Sequence, residues 1–112
     1  MHEVLYHNPG DLVTIVFESK NNNNERFDPE ETPVVGRIVF PSLKTAPGYP
    51  KKMFKIDTGL YVYKFNLPMH KDSVGMYLLD ILYKDSNHKV SNHLVKVICK
   101  IDSNMKFSVS AG

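Results

Sequence analysis

The sequence contains a single cysteine, Cys99, and no tryptophan. An internal disulfide and a cysteine-rich zinc site are therefore excluded. Because Cys99 lies inside an alternating apolar run, we expect a buried, unreactive thiol rather than a nucleophile. The absence of tryptophan also removes a side chain that could line a sugar cleft.

Long apolar runs and a charge imbalance are also missing. No stretch reaches the length of a membrane span, and residues 1–9 have neither the basic start nor the apolar run of a signal peptide. We therefore expect a protein made and kept in a cytoplasm, or assembled there into something larger. The 14 basic and 12 acidic residues are spread along the chain without a basic stripe. This distribution predicts neither a nucleic acid nor a membrane as partner.

Motifs for catalysis and cofactor binding are not found. The glycines are single, no serine lies in a nucleophile elbow, and no two acidic residues alternate on one strand face. Among the five histidines only His88 and His93 approach ligand spacing, and they straddle a turn and a strand start. The acidic turn residues Asp57, Asp72 and Asp85 lack calcium-loop spacing. We therefore expect no enzyme activity, no cofactor and no metal site.

Period-two alternation of apolar residues is what the sequence does contain, and it is typical of half-buried strands. It is clearest in residues 59–68 and 75–83, which we interpret as adjacent antiparallel strands joined by residues 69–74. One face of this central pair should supply much of the core, at roughly 1.5 to 3 kcal/mol for each buried side chain. The core residues predicted from the pair are Tyr61, Tyr63, Phe65, Leu67, Tyr77, Leu79, Ile81 and Tyr83.

The remaining strands follow from the same alternation. Residues 12–19 bury Val13, Ile15 and Phe17. Residues 33–41 place Val34, Ile38 and Phe40 on one face, with a bulge tolerated at Gly36. Further strands are predicted at residues 3–7 (a short strand or an arm), 51–57 (with Met53 or Phe54 inward), 90–102 (with His93, Val95, Val97, Cys99 and Ile101 on one face) and 105–110.

Turn-forming residues separate these strands and no window shows helical periodicity. Residues 8–11, 57–59 and 85–88 are predicted turns, residues 20–32 a solvated loop, and residues 42–50 a crossover between sheets. The pattern predicts an all-β sandwich of seven or eight strands. A chain of 112 residues supports one core, so we expect one domain, with residues 1–10 as an N-terminal arm and 103–112 as a C-terminal strand or tail.

Apolar residues also occupy the faces that point away from the predicted core. Several such residues on two sheet faces indicate a surface that a partner covers. Two alternatives are a register error at a bulge and loops that fold over one sheet. The candidate protein interface consists of Leu12, Val16, Leu60, Val62, Leu78, Leu82, Leu94 and Ile98.

Two further contacts are predicted from the outer positions. Lys96 and Lys100 alternate with the outward residues of the last strand, and Asp80 with those of its neighbour, so opposite charges could meet across the strands. Residues 105–110, and residues 3–7 within the N-terminal arm, alternate apolar residues without a proline. Either segment could extend the sheet of a neighbouring molecule as an edge strand.

A family resemblance rests on motifs spread over roughly residues 8–100. These are Asn8-Pro9-Gly10-Asp11, Asp28-Pro29, Arg37 to Pro41, Met53 to Asp57 leading into Gly59-Leu60-Tyr61, Phe65 to Pro68, and Gly75-Met76-Tyr77. In these motifs the chain resembles the small immunoglobulin-like proteins encoded among tailed-bacteriophage structural genes. It is also similar to macroglobulin-type and bacterial-surface immunoglobulin-like repeats. The resemblance implies an immunoglobulin-like antiparallel β-sandwich.

The phage version of the resemblance is favoured because the chain starts at methionine, lacks an export signal and uses Asn, Lys and Ile heavily. It implies a non-enzymatic virion structural protein, made in the host cytoplasm, that contacts other virion proteins in the capsid, neck, tail or fibre. The alternative is a carbohydrate- or cell-surface-binding module that uses Asn21 to Asn24 and Tyr49. A zinc- or calcium-dependent enzyme is the third class.

Overall fold

The structure is a computed structural model that describes residues 2–69 and 73–101. Within these residues the chain forms eight β-strands and no α-helix. The strands are β1 (His2–His7), β2 (Leu12–Glu18), β3 (Val34–Val39), β4 (Lys51–Lys52), β5 (Phe54–Asp57), β6 (Leu60–Asn66), β7 (Gly75–Lys84) and β8 (Val90–Cys99). The predicted C-terminal strand at residues 105–110 and the tail at 103–112 lie outside the described residues.

The strands form two sheets that pack as a sandwich. One sheet has five strands in the order β1-β8-β7-β3-β4, and the other has three in the order β2-β6-β5. With β2, β6 and β5 opposite β3, β7 and β8, this is the immunoglobulin-like arrangement of strands. All pairs are antiparallel except β1 and β8, which run parallel. The all-β immunoglobulin-like sandwich predicted from the sequence is confirmed, with this one parallel pair.

Alternation along the strands places the core between the two sheets. Val13, Ile15 and Phe17 on β2 are buried, as the sequence predicted, and they face Leu79 and Val95 of the other sheet's inner surface. All eight residues predicted from the central pair contribute, because Tyr63, Phe65 and Tyr83 pack against the buried cluster although they are only partly buried. Each buried side chain contributes roughly 1.5 to 3 kcal/mol before conformational entropy is subtracted.

The predicted pairing of the two central strands is wrong. β6 pairs with β2 and β5 in the three-stranded sheet, whereas β7 pairs with β3 and β8 in the five-stranded sheet. The connection after β6 therefore crosses from one sheet to the other, with Leu67 buried where it begins. As a result, Tyr61 and Tyr77 lie on opposite sides of the core rather than side by side.

A bulge at Gly36 changes which residues of β3 point inward. The register shifts between Val35 and Arg37, so Val35 pairs with Ile81 on the inner face while Ile38 pairs with Leu79. The prediction that Val34 is a core residue is wrong. Its neighbour Val35 points inward, and successive residues of a strand point to opposite faces, so Val34 points outward. Phe40, just beyond the strand, packs edge-on against Tyr77 with ring centroids 6.0 Å apart.

The predicted strand at residues 51–57 is two strands in different sheets. β4 pairs with β3, and β5 pairs with β6, so the chain changes sheet at Met53, whose side chain is buried. Phe54 points outward and is exposed. Residues 42–50 are therefore not the crossover, because Ala46 still donates its N–H to the carbonyl of Ile38 on β3. At the other end, Ile101 lies beyond β8 and is exposed, so it does not continue the inner face.

Candidate interaction surfaces

The outer face of the five-stranded sheet carries four of the eight candidate residues: Leu78, Leu82, Leu94 and Ile98. Cross-strand register shows which residues adjoin them, since paired residues share a face. Tyr6 on β1 pairs with Ile98 on β8, and Ile98 pairs in turn with Met76 on β7. This gives an unbroken apolar row across three strands. Tyr6 is 65% exposed and Met76 44% exposed, so the row lies at the surface.

The next row widens the same surface. Val4 pairs with Lys96, Lys96 with Leu78, and Leu78 with Val39, so a single charged residue separates apolar neighbours. We call this surface the apolar outer face. It consists of Val4, Tyr6, Val39, Met76, Leu78 and Ile98, with Leu82 and Leu94 nearer the other end of the sheet.

Polar side chains border the apolar outer face. Asp80 accepts hydrogen bonds from Arg37 at 3.3 Å and from Asn92 at 3.0 Å. The ammonium of Lys100 lies 5.3 Å from the ring centroid of Tyr6. The predicted pairing of Asp80 with a lysine of the last strand is wrong, because the register sets Asp80 opposite Leu94 and leaves its carboxylate to Arg37 of β3.

The other four candidate residues, Leu12, Val16, Leu60 and Val62, lie on the outer face of the three-stranded sheet, on the opposite side of the sandwich. Val16 pairs with Val62, and Val62 with Phe54 on β5, which makes a second apolar row. Leu12 and Val16 are 50% and 48% exposed. The eight candidate residues thus point outward on two separate surfaces, as predicted.

The two alternative explanations for these outward residues find no support in the described part of the chain. β7 and β8 hold one register over ten consecutive pairs, and β2 and β6 over seven. The two irregularities lie on β3 and β5. No described loop covers Tyr6, Met76, Leu12 or Val16, since all four remain exposed.

Sequence reasoning missed several members of these surfaces. Val4 and Tyr6 were assigned to a short strand or an arm, and neither they nor Met76 and Phe54 were named as outward residues. A signal was present for three of them, because Met76 has the same parity as Leu78, and Val4 and Tyr6 alternate with Glu3 and Leu5. Phe54 was ambiguous because its strand begins at a change of sheet.

A cleft of about 960 Å³ opens at the side of the sandwich, where β1 and β2 are the edge strands. Its walls include Glu3, His93 and Tyr83, and the loop residues Asn21 and Asn24 border it. The Nε2–H of His93 donates to Oε1 of Glu3 at 3.0 Å, and the imidazole lies 5.7 Å from the ring of Phe17. Within the described residues the buried Nδ1 of His93 makes no hydrogen bond.

The loop over residues 20–32 is held to the sandwich by Asp28. Its carboxylate accepts hydrogen bonds from the ammonium of Lys55 at 2.7 Å, from the N–H of Gly59 at 2.9 Å and from the hydroxyl of Tyr61 at 3.3 Å. The Lys55 ammonium, and after it the Gly59 N–H, hold the pKa of Asp28 below its usual range. These contacts join two of the motifs on which the family resemblance rests.

The loop residues predicted for glycan binding are not brought together. Asn21 folds its own loop, because its side-chain oxygen accepts the N–H groups of Asn23 and Glu25. Tyr49 lies elsewhere, partly buried, with its hydroxyl hydrogen-bonded to that of Tyr63. Tyr49 does not line the cleft that Asn21 borders.

The two histidines whose spacing is nearest to that of metal ligands contact acidic residues instead. His88 lies near Glu30, with 3.8 Å between Nδ1 and the carboxylate, whereas His93 contacts Glu3. Across residues 2–69 and 73–101, no group of three or more His, Cys, Asp or Glu side chains is placed to hold a metal ion. Cys99 is buried as predicted, and burial raises the pKa of its thiol. Asp72 and His70 lie outside the described residues.

No helix long and apolar enough to span a membrane occurs among the residues that the structure describes. In comparisons with known proteins, no family model matches the sequence and no curated protein is significantly similar to it.

Proposed function

We propose that the protein is a non-enzymatic structural component that docks onto other proteins of a larger particle through its apolar outer face. The observation that supports this most directly is the row Tyr6, Ile98 and Met76, which crosses three strands at the surface. A contiguous apolar surface on a small domain is typical of a contact site.

The surroundings of the apolar outer face suit a protein partner. Interfaces between proteins usually have an apolar centre and a polar rim, with aromatic residues and methionine enriched. Here Tyr6 and Met76 flank the centre, while Lys100 and the Asp80–Arg37 pair lie at its border. The rim charges would orient the partner, and burial of the apolar centre would supply most of the affinity.

The particle that we propose is a tailed-phage virion. This step comes from the resemblance of residues 8–100 to small immunoglobulin-like phage structural proteins. The protein would be made in the host cytoplasm and incorporated into the capsid, neck, tail or fibre. The partners would be other virion proteins, with neither a membrane nor a nucleic acid involved.

The test is incorporation of charged variants into particles. Ile98→Lys and Leu78→Lys place a charge in the apolar outer face, so we expect each to prevent incorporation while the purified domain keeps its unfolding midpoint. Val16→Lys is the matched control, since Val16 is an outward valine on the opposite sheet. Quantitative mass spectrometry of purified particles measures the copy number.

Two results would contradict the proposal. If both Ile98→Lys and Leu78→Lys are incorporated at the wild-type copy number, the apolar outer face is not the docking site. If Val16→Lys alone blocks incorporation, the contact belongs to the three-stranded sheet.

A carbohydrate- or cell-surface-binding module is the second candidate, and we propose the cleft at the side of the sandwich as its site in place of the loops. An aromatic ring (Tyr83) and polar groups from Glu3, His93 and Asn24 line the same opening, and a mixture of aromatic and polar groups is usual in small-molecule sites. A glycan array probed with the purified domain tests it, and Tyr83→Ala should abolish any signal. A blank array would count against this candidate without affecting the docking proposal.

A further inference from the structure

β1 leaves half of its backbone hydrogen-bonding groups at an open edge. Among the described residues it pairs only with β8, and the carbonyl of His7 accepts the N–H of Lys100 at 3.0 Å. In a parallel ladder alternate residues point their N–H and C=O groups toward the same neighbour. Since the backbone groups of His7 point toward β8, those of Glu3 and Leu5 do so as well. The backbone groups of Val4 and Tyr6 therefore point to the open edge.

This edge lacks the features that usually prevent pairing. Protected edge strands are short, contain proline, carry a bulge or present lysines. β4 has two residues, both lysines, directly after Pro50, and β5 has a register shift. By contrast, β1 holds six consecutive pairs with β8 and contains neither proline nor glycine.

The open edge of β1 is complementary to itself. If two β1 strands lie antiparallel with Leu5 at the two-fold axis, Val4 of each copy stands opposite Tyr6 of the other. The backbone N–H and C=O groups of Val4 and Tyr6 then face each other, so the two residues exchange both hydrogen bonds. A β-branched residue opposite an aromatic one is also a favourable cross-strand pair. Both side chains lie on the outer face, so the pairing keeps them on one surface.

Charge also favours a second copy as the occupant of this edge. The same register sets Glu3 of each copy opposite His7 of the other. Within the described residues Glu3 uses Oε1 to bind His93, and His7 uses Nδ1 to bind Asp11. Glu3 Oε2 would then meet His7 Nε2 of the other copy. Because Nδ1–H of His7 already donates to Asp11, Nε2 has a proton to donate only in the positively charged imidazolium form, so this contact is a charge pair.

From this we infer that two copies of the chain associate through their β1 edges and join two five-stranded sheets into one continuous sheet. Such an interface is isologous, because the same strand serves both copies. Its backbone hydrogen bonds lie at the edge of the sheet, and the side chains of Val4 and Tyr6 stay on the apolar outer face. The dimer would therefore present two docking surfaces side by side.

The test is sedimentation equilibrium of the full chain over a wide concentration range. We expect a concentration-dependent dimer for the wild type. Val4→Pro removes a donor at the open edge without removing a bond to β8, and proline is tolerated on edge strands at such positions. We expect its dimer dissociation constant to rise by about tenfold or more, which corresponds to ~1.4 kcal/mol.

Thr14→Pro is the matched control. Thr14 lies on β2, the other long edge strand, and Asp11 and Ser19 bond toward β6, so by alternation Thr14 faces away from β6. This variant should dimerise like the wild type. Val4→Lys is a second variant that opposes pairing by charge, and circular dichroism and thermal unfolding establish that each variant is folded.

The inference is overturned if the wild type stays monomeric up to millimolar concentration. It is also overturned if folded Val4→Pro and Val4→Lys dimerise as tightly as the wild type, or if Thr14→Pro alone dissociates the dimer. Ile98→Lys separates this result from the docking proposal. That variant should keep the dimer, since Ile98 is internal to the sheet, and lose incorporation into particles.

Discussion

Tyr77 joins the start of β7 to the crossover that precedes it. Its ring is buried and its hydroxyl donates to the carbonyl of Ser73 at 2.8 Å. This is the geometry of a tyrosine corner, in which a tyrosine at the start of a strand bonds backbone a few residues upstream. Burial raises the pKa of the hydroxyl, so it remains a donor at neutral pH.

Tyr77→Phe should lower the free energy of unfolding by about 1 kcal/mol, because the buried hydrogen bond from the Tyr77 hydroxyl to the Ser73 carbonyl is lost while ring packing is retained. Urea unfolding measures the change. Tyr6→Phe is the matched control, since the hydroxyl of this exposed tyrosine lies at the surface, and it should be nearly neutral. Equal effects of the two substitutions would show that the Ser73 contact contributes little.

Sequence reasoning at the residue scale identified Tyr77 as a core residue but not as a hydrogen-bond donor. Alternation along a strand decides which side chains are buried, and that depends only on neighbouring residues. The partner of a hydroxyl depends on how the preceding connection folds. The same limit applies to Asp28, which was assigned to a loop and in fact binds Lys55, Gly59 and Tyr61.

The turn between β5 and β6 is the element that fixes the loop over residues 20–32. Gly59 adopts a φ of +66°, and its carbonyl accepts the N–H of Ser19 at 2.7 Å while its N–H donates to Asp28. A Cβ at Gly59 would lie 2.9 Å from both the backbone N and the backbone O of Phe27. This contact could be relieved only if the backbone moved.

Gly59→Ala should therefore destabilise the domain by at least about 1–3 kcal/mol, the usual cost of a strained backbone position. Gly48→Ala is the matched control, since Gly48 also has a positive φ, +84°, but its Cβ would meet only the end of the Lys51 side chain, at 3.6 Å from Cε and 3.9 Å from Nζ. The difference between the two thermal unfolding midpoints measures the steric contact with the Phe27 backbone and the Arg26 Cβ, which also lies at 2.9 Å. A larger loss for Gly48→Ala would contradict this explanation.

The errors at the element scale have a common cause. A period of two identifies a strand and its buried face, but neither its partner nor its sheet. β6 and β7 were predicted to be adjacent antiparallel strands, yet they belong to different sheets. A bulge at Gly36 shifts the alternation of β3, and for this reason Val34 was predicted on the wrong face. A change of sheet at Met53 interrupts the alternation in the same way.

At the scale of the whole molecule, the outward candidate residues were predictable and the features at the edge of the sandwich were not. Ile98 and Leu78 follow from parity within single strands. The row that extends them to Tyr6 needs the parallel pairing of β1 with β8, which joins the two ends of the described chain. The contact of Glu3 with His93 spans 90 residues and depends on the same pairing.

Carboxylates at both ends of the sandwich make the stability of the whole domain depend on acid pH. Hydrogen bonds lower the pKa of four of them: Asp11 through the N–H of Asn8, Glu18 through Arg26, Asp28 through Lys55 and Asp85 through the N–H of Lys89. A lowered pKa means that the folded state binds fewer protons than the unfolded state. The stabilisation is then complete above the unfolded pKa of about 4 and is lost as the pH falls through the folded values.

We therefore expect the urea midpoint to fall between neutral pH and about pH 3, near and below the ordinary carboxyl pKa. Asp28→Asn should be less stable than the wild type at neutral pH. This difference in stability should become smaller at acid pH, because protonation of Asp28 in the wild type removes the same ion pair with Lys55. Added salt distinguishes this mechanism from general repulsion, since salt screens the net positive charge gained on acidification but does not restore the lost hydrogen bonds. If the difference in stability between the wild type and Asp28→Asn does not change with pH, Asp28 stabilises the domain through packing or neutral hydrogen bonds rather than through its charge.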